Sequence, residues 1–199
     1  MRRSRNTRLT PIGAITSALV EELVPVPVTY RGVQMRSTLE GKWAAFFDHL
    51  GITWEYEAAP VQLHGRSRWV DFWSSTLNLW LEVKPAGTPP DEALGQAVAE
   101  ETGSPLLWIA GSPWPGDYRI TLLSGDRPPI PRLRFALGRR DHSEIWLCDP
   151  ASVLAIRLAP PMGGEAMDWE TAQGIAFPLF DCHALREAYR AASTWEFAP

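Results

Sequence analysis

The feature that most constrains this chain is a change of hydrophobic period. Over residues 36–50 the apolar side chains Leu39, Trp43, Phe46, Phe47 and Leu50 fall at i, i+4, i+7, i+8 and i+11, one stripe of an α-helix. Ser37 with Glu40 three residues on is a capping-box pair, and Gly51 ends the helix. Beyond Gly51 the period becomes two. Residues 52–58, 69–73 and 77–84 read as strands, with a turn at 74–76. In the last strand Leu79, Leu81 and Val83 share one face, and Trp80, Glu82 and Lys84 share the other. Pro89, Pro90 and Asp91 open a second helix that runs to Thr102 and closes at Gly103. Leu106–Ala110 is a short apolar run that fits a buried strand, reached by a crossover and paired parallel to a neighbour. Helix, meander, helix and strand in that order predict an α/β fold with a mixed central sheet flanked by helices.

The chain has 199 residues, enough for one substantial domain with an appendage. Residues 1–33 read as a basic leader, carrying Arg2, Arg3, Arg5 and Arg8 and kept extended at its end by Pro25 and Pro27. Such a segment is either a mobile tail or an arm on a phosphate backbone. Residues 34–115 form the core just described. Residues 116–199 read as an extension packed on it, with strands at 118–123, 133–137 and 145–148, loops at 128–131 and 159–164, and a terminal helix at 184–192. This half has no readable motif. Extending the sheet, forming a homodimer surface and recognising a target are all open to it.

The net charge of −4 excludes a general DNA-coating protein but not local binding of nucleic acid. Cys148 and Cys182 make no zinc pattern and read as buried thiols of a reducing compartment. No apolar run reaches membrane-spanning length. The stretch 11–20 imitates a signal peptide, but Gly13, Thr16 and Ser17 interrupt it and Glu21 and Glu22 follow at once. The expectation is a cytoplasmic protein.

The chemistry concentrates on Asp71 and Glu82-Val83-Lys84. Asp71 lies in one strand and Glu82 in the next, so the two carboxylates meet if the register is right. Each then raises the pKa of the other, and a divalent cation with oxygen ligands, Mg²⁺ or Mn²⁺, relieves the conflict. The Val83 carbonyl is a further candidate ligand. Lys84 would orient or deprotonate the attacking water, or stabilise charge on a phosphate. Glu40 is a third carboxylate, at the start of the first helix, with a competing role as the partner of the Ser37 cap.

With that element order, Glu40, Asp71 in Trp-Val-Asp-Phe-Trp and Glu82-Val83-Lys84 make a chain that resembles the PD-(D/E)XK nuclease superfamily. The resemblance spans about residues 30–112. Within the superfamily it is similar to small nuclease-like proteins of bacterial and phage genomes and to the endonuclease subunit of heteromeric bacterial transposases. Val70 stands where the family usually has proline, a residue that shapes the backbone and supplies no ligand. The resemblance implies a restriction-endonuclease-like core and a Mg²⁺- or Mn²⁺-dependent hydrolase of DNA that leaves a 3′ hydroxyl and a 5′ phosphate. Asp71 and Glu82 would bind metal with Val83, Glu40 would assist, and Lys84 would serve the water. It also implies partners: DNA, and a transposase or recombination subunit. Gln96 is an accessory candidate, because several members place a polar residue of that helix near the metal. Arg66 and Arg68, just before Asp71, are candidate DNA-backbone contacts.

Other residues read more plainly. Glu55 and Glu57 are surface charges beside Tyr56, and the four histidines are scattered. The tryptophans are core residues by default, with Trp73 and Trp80 nearest the carboxylates. The rival from another class is a nuclease fold used for DNA binding or scaffolding, with catalysis weak or lost.

Overall fold

A computed structural model describes residues 25–125, 127–137, 145–149, 155–158 and 182–195. Arg2, Arg3, Arg5 and Arg8, and the expected loop at 159–164, lie outside the described residues. The described chain is a mixed α/β structure. An eight-stranded sheet of these residues is bracketed by helices α1 (Thr38–His49), α2 (Glu92–Thr102) and α3 (His183–Thr194). The strands along it run β12 (Ala155–Leu158), β11 (Ile145–Cys148), β10 (Ile130–Leu137), β9 (Arg119–Leu123), β8 (Leu106–Ala110), β7 (Leu79–Lys84), β6 (Phe72–Ser74) and β3 (Glu55–Tyr56). Only β7 and β8 pair parallel, Glu82 opposite Trp108, with α2 as the crossover between them. All other neighbours are antiparallel.

The capping box forms: Ser37 Oγ accepts from the Glu40 amide at 3.2 Å and donates to Glu40 Oε1 at 2.8 Å. Asp91 caps α2 by accepting from the Leu94 amide at 3.0 Å. The α1 stripe buries Trp43, Phe46 and Phe47 completely. Their rings meet Tyr118 and Phe135 of the second half, and Phe46 meets Tyr189 of α3. The Tyr118 and Tyr189 hydroxyls close the junction with a 2.8 Å hydrogen bond. The described residues beyond 116 therefore extend the same sheet, and most of their buried side chains join the same core, with Ala136, Trp146 and Cys148 in a small cluster of their own. Leu79, Leu81 and Val83 face this core. Trp80 and Trp108 face a smaller one with Leu94 and Val98 of α2. Gly111 lets β8 end tightly: its φ is +111°, and a Cβ there would sit 2.0 Å from the Asp117 carbonyl. Its own carbonyl accepts from Trp43 Nε1 at 2.9 Å.

Several boundaries differ from the sequence reading. The leader does not reach residue 33, because β1 (Val28–Tyr30) and β2 (Val33–Met35) form a hairpin with Val28, Tyr30 and Met35 buried. The expected strand at 69–73 splits. Trp69 ends a separate ribbon, β4 (Pro60–Leu63) with β5 (Arg66–Trp69), and the main sheet resumes at Phe72. The loop expected at 128–131 instead contains the start of β10, whose register shifts between Ile130 and Leu133, with Arg132 at φ 65°. A strand at 155–158 was not foreseen. Cys148 and Cys182 are free and buried, as expected. Among the described residues no helix is long and apolar enough to cross a membrane.

Candidate functional site

The site forms where the β6–β7 ladder stops. That ladder pairs Phe72 with Leu81, so the next residues in register are Asp71 and Glu82. Both carboxylates are almost fully buried, 2% and 1% exposed. The Val83 amide, beyond the last β6 partner, donates to Asp71 Oδ2 at 2.8 Å. The Asp71 amide donates to Glu82 Oε2 at 3.1 Å. Each carboxylate thus receives one main-chain N–H from the other's neighbourhood, which fixes both side chains without a flexible partner.

Lys84 completes the group. Its Nζ lies 2.5 Å from Glu82 Oε1 and 3.4 Å from Asp71 Oδ2. The ammonium also sits 5.8 Å from the centre of the Trp108 ring. Burial raises the Asp71 pKa to about 7, and the neighbouring Glu82 adds to the rise, against Lys84, which lowers it. Burial works to lower the Lys84 pKa, but Asp71 and Glu82 outweigh it and the pKa is raised. With both carboxylates free of metal, Lys84 is therefore held as a cation.

Glu40 lies in the same cleft, at 7% exposure. Its Oε1 accepts from Ser37, and its Oε2 accepts from the Arg36 amide at 3.0 Å and the Tyr56 hydroxyl at 2.6 Å. Both oxygens are committed to the cap and to Tyr56, so the cap role is realised. Its charge still reaches Asp71, where it raises the pKa further.

Two residues here were not singled out from the sequence. The Arg36 guanidinium contacts Glu57 and lies 3.7 Å from Asp71 Oδ1. Tyr56 bridges β3 to the start of α1. The only signal for either was proximity: Arg36 precedes the cap, and Tyr56 lies between Glu55 and Glu57. Glu57, read as a surface charge, is the partner of Arg36.

These groups open into a cleft of about 1150 Å³, larger than the roughly 300–1,000 Å³ of a usual small-molecule pocket. Lys42 and the β5 residues Ser67, Arg68 and Trp69 also line it. Arg36, Lys42, Arg68 and Lys84 set its positive charge against Glu40, Asp71 and Glu82. Arg66 is exposed on the same strand but does not line the cleft. Gln96 is a correction. It faces away on α2, donates to Glu100 Oε1 at 2.7 Å and borders a separate shallow depression with Leu123 and Ser124. Helical periodicity explains this: Leu94 and Val98 take the buried face and leave Gln96 outside. Trp80 is in the α2-side core and Trp73 packs against it, their rings 5.1 Å apart.

Among the described residues no three His, Cys, Asp or Glu side chains form a ready metal cluster. The donor set for a divalent cation is narrower: the paired carboxylates of Asp71 and Glu82, which line the cleft with Val83. The pair fits a cation by its charge: two carboxylates face one ammonium, Lys84, which leaves one of them uncompensated when both are ionised. The chain matches no protein-family model and no curated protein.

Proposed function

We propose that this chain is a divalent-cation-dependent nuclease that hydrolyses DNA phosphodiester bonds. The observation that carries the reading is the Asp71–Glu82 pair, buried, in register and capped by Lys84 at the base of a cleft with basic walls. A buried carboxylate pair costs stability unless a cation compensates it, so its place in an open cleft argues for use.

Mg²⁺ or Mn²⁺ would be held by Asp71 and Glu82 with the Val83 carbonyl, and would supply Lewis acidity toward a phosphate oxygen and charge neutralisation. The protein's own part follows from its geometry. The Val83 and Asp71 amides keep the two carboxylates fixed. Lys84, protonated and tethered, can turn from Glu82 to the charge growing on the phosphate and orient the attacking water. Water attacks phosphorus, the bond to the 3′ oxygen breaks, and a 3′ hydroxyl and a 5′ phosphate remain. Arg36 and Arg68 line the path of the backbone. Glu40 assists through its charge and by holding Arg36 in place, since ligation would require release of Tyr56. A cytoplasmic setting fits the two free, buried cysteines. Action within a phage, transposon or other DNA-processing assembly, with a transposase or recombination subunit as partner, fits the resemblance.

One observation favours a second reading. Lys84 offsets one of the two carboxylate charges without any added ion, which a DNA-binding or scaffold protein with lost catalysis would also need. Cleavage of plasmid, linear and single-stranded DNA separates the two. The nuclease reading expects Mg²⁺- or Mn²⁺-dependent cutting that disappears in Asp71→Asn and Lys84→Ala. Cutting that persists in both variants, or a wild type that neither cuts nor binds the metal, overturns it.

A further inference from the structure

One wall of the cleft supplies none of the Asp71–Glu82–Lys84 group. It is the β4–β5 ribbon, which pairs with no strand of the main sheet among the described residues. The ribbon is anchored by Val61, which is buried in the α2-side core, and by the Gln62 amide donating to Glu101 at 2.7 Å. Trp69, the last residue of β5, takes no part in that anchoring. It lies opposite Pro60, is 44% exposed and makes no ring contact with another described aromatic residue. One residue later the chain is fully buried at Val70, and two residues later it reaches Asp71. Two residues of chain reach at most about 7 Å, so the Trp69 and Asp71 Cα atoms lie within that distance. An exposed indole thus lines the same cleft as the buried carboxylates, two residues from Asp71 along the chain, and Arg68 lines that cleft too.

We propose that Trp69 is a stacking platform for an unpaired base next to the phosphate that meets the Asp71–Glu82–Lys84 group. The substrate class is then single-stranded DNA, or the single-stranded part of an end or flap, and not intact duplex. This rests on the nuclease reading of the carboxylate pair. A planar aromatic face and a cation lining one groove are the combination that binds single strands, where each base offers a π-face and the backbone meets the positive charge. In a duplex those faces are covered by the neighbouring pairs, so the indole gains contact only where a base is already unpaired. Arg68 serves either substrate, because phosphate is common to both.

The test is equilibrium binding of fluorescein-labelled single-stranded and duplex oligonucleotides of one sequence, followed by anisotropy with chelator present so that no cleavage occurs. The proteins are the wild-type full chain, Trp69→Ala, Trp69→Phe and Trp114→Ala, the last an exposed tryptophan that does not line the cleft. The wild type is expected to prefer the single strand. Trp69→Ala should weaken single-strand binding about tenfold or more and change duplex binding by less than about twofold. Trp69→Phe should recover most of the loss, and Trp114→Ala should match the wild type. Equal losses on both substrates, no loss, or a wild type that binds neither overturns the proposal. Metal-dependent cleavage that is abolished by Asp71→Asn but indifferent to Trp69 overturns stacking alone. Single-strand preference that depends on Trp69, in a protein with no metal-dependent cleavage, overturns the nuclease reading alone.

Discussion

Asp71 and Glu82 face each other at the end of the β6–β7 ladder, and the Asp71 amide donates to Glu82 Oε2 at 3.1 Å. The backbone of one acid thus holds the side chain of the other, and Lys84 bridges both. Removing that bridge is informative. Lys84→Met keeps the stem beside Trp108 but deletes the charge. At pH 8 it should cost about 2 kcal/mol, less than a fully buried pair because the Lys84 side chain is 27% exposed. At pH 5 the cost should shrink, because Asp71 is then protonated. Urea unfolding at the two pH values checks this, and an equal loss at both would contradict it.

The wild type carries a matching pH signature in the absence of divalent ions. The folded-state pKa of Asp71, about 7, lies above the roughly 3.9 of an unfolded aspartate. Between those values the folded state holds more protons than the unfolded state. The contribution of Asp71 to stability is therefore full below about pH 4 and is lost as pH rises through about 7, at a steepest slope of about 1.4 kcal/mol per pH unit. Asp71→Asn cannot titrate, so its urea midpoint should decline less over pH 4–7. Parallel pH profiles for the two proteins would contradict the assignment.

Tyr56→Phe removes the 2.6 Å hydrogen bond to Glu40 and leaves the Arg36 amide with Glu40 Oε2 alone. The expected loss is about 1 kcal/mol, since the Ser37–Glu40 cap remains intact. Thermal unfolding measures it. A loss above about 3 kcal/mol would mean that Tyr56 also supports the core.

Gly95→Ala tests the packing of α2 on the sheet. Alanine is the better helix former by about 1 kcal/mol. A Cβ at Gly95, however, would lie 2.5 Å from Leu123 Cβ and 2.8 Å from Leu123 Cδ1, a clash that turning the leucine side chain cannot relieve. The variant should be less stable by about 1–2 kcal/mol in urea unfolding. A stabilised variant would show that α2 is free to shift.

The elements around the carboxylates were legible where the period was sustained. In β7 the alternation of Leu79, Leu81 and Val83 with Trp80, Glu82 and Lys84 separates two cores, and strict alternation allows only one register. The α1 stripe and the caps at Ser37 and Asp91 were equally plain. The two hairpins were not. Both turn through consecutive positive-φ residues, Arg31-Gly32 and His64-Gly65, where the strong sequence signal would be Asn-Gly or Asp-Gly. Pro60 also masks β4, since proline argues against a strand unless the strand lies at an edge, as this one does. In the site, Asp71, Glu82 and Lys84 were visible because charges are costly in an apolar strand. Arg36, Tyr56 and Glu57 were not, because each is ordinary in its own segment and gains meaning only when β3 folds against the start of α1. Gln96 was carried over from a resemblance and fell on the outer face of its helix.

The most direct test of the carboxylate pair as a divalent-cation site is calorimetric titration of Mn²⁺ into the metal-free protein at pH 7.5, wild type against Asp71→Asn. The account predicts saturable binding in the wild type, with proton release or Lys84 displacement contributing to the heat, and loss of that binding in Asp71→Asn. A wild type that takes up no Mn²⁺, or an Asp71→Asn protein that binds it as tightly, would contradict the account.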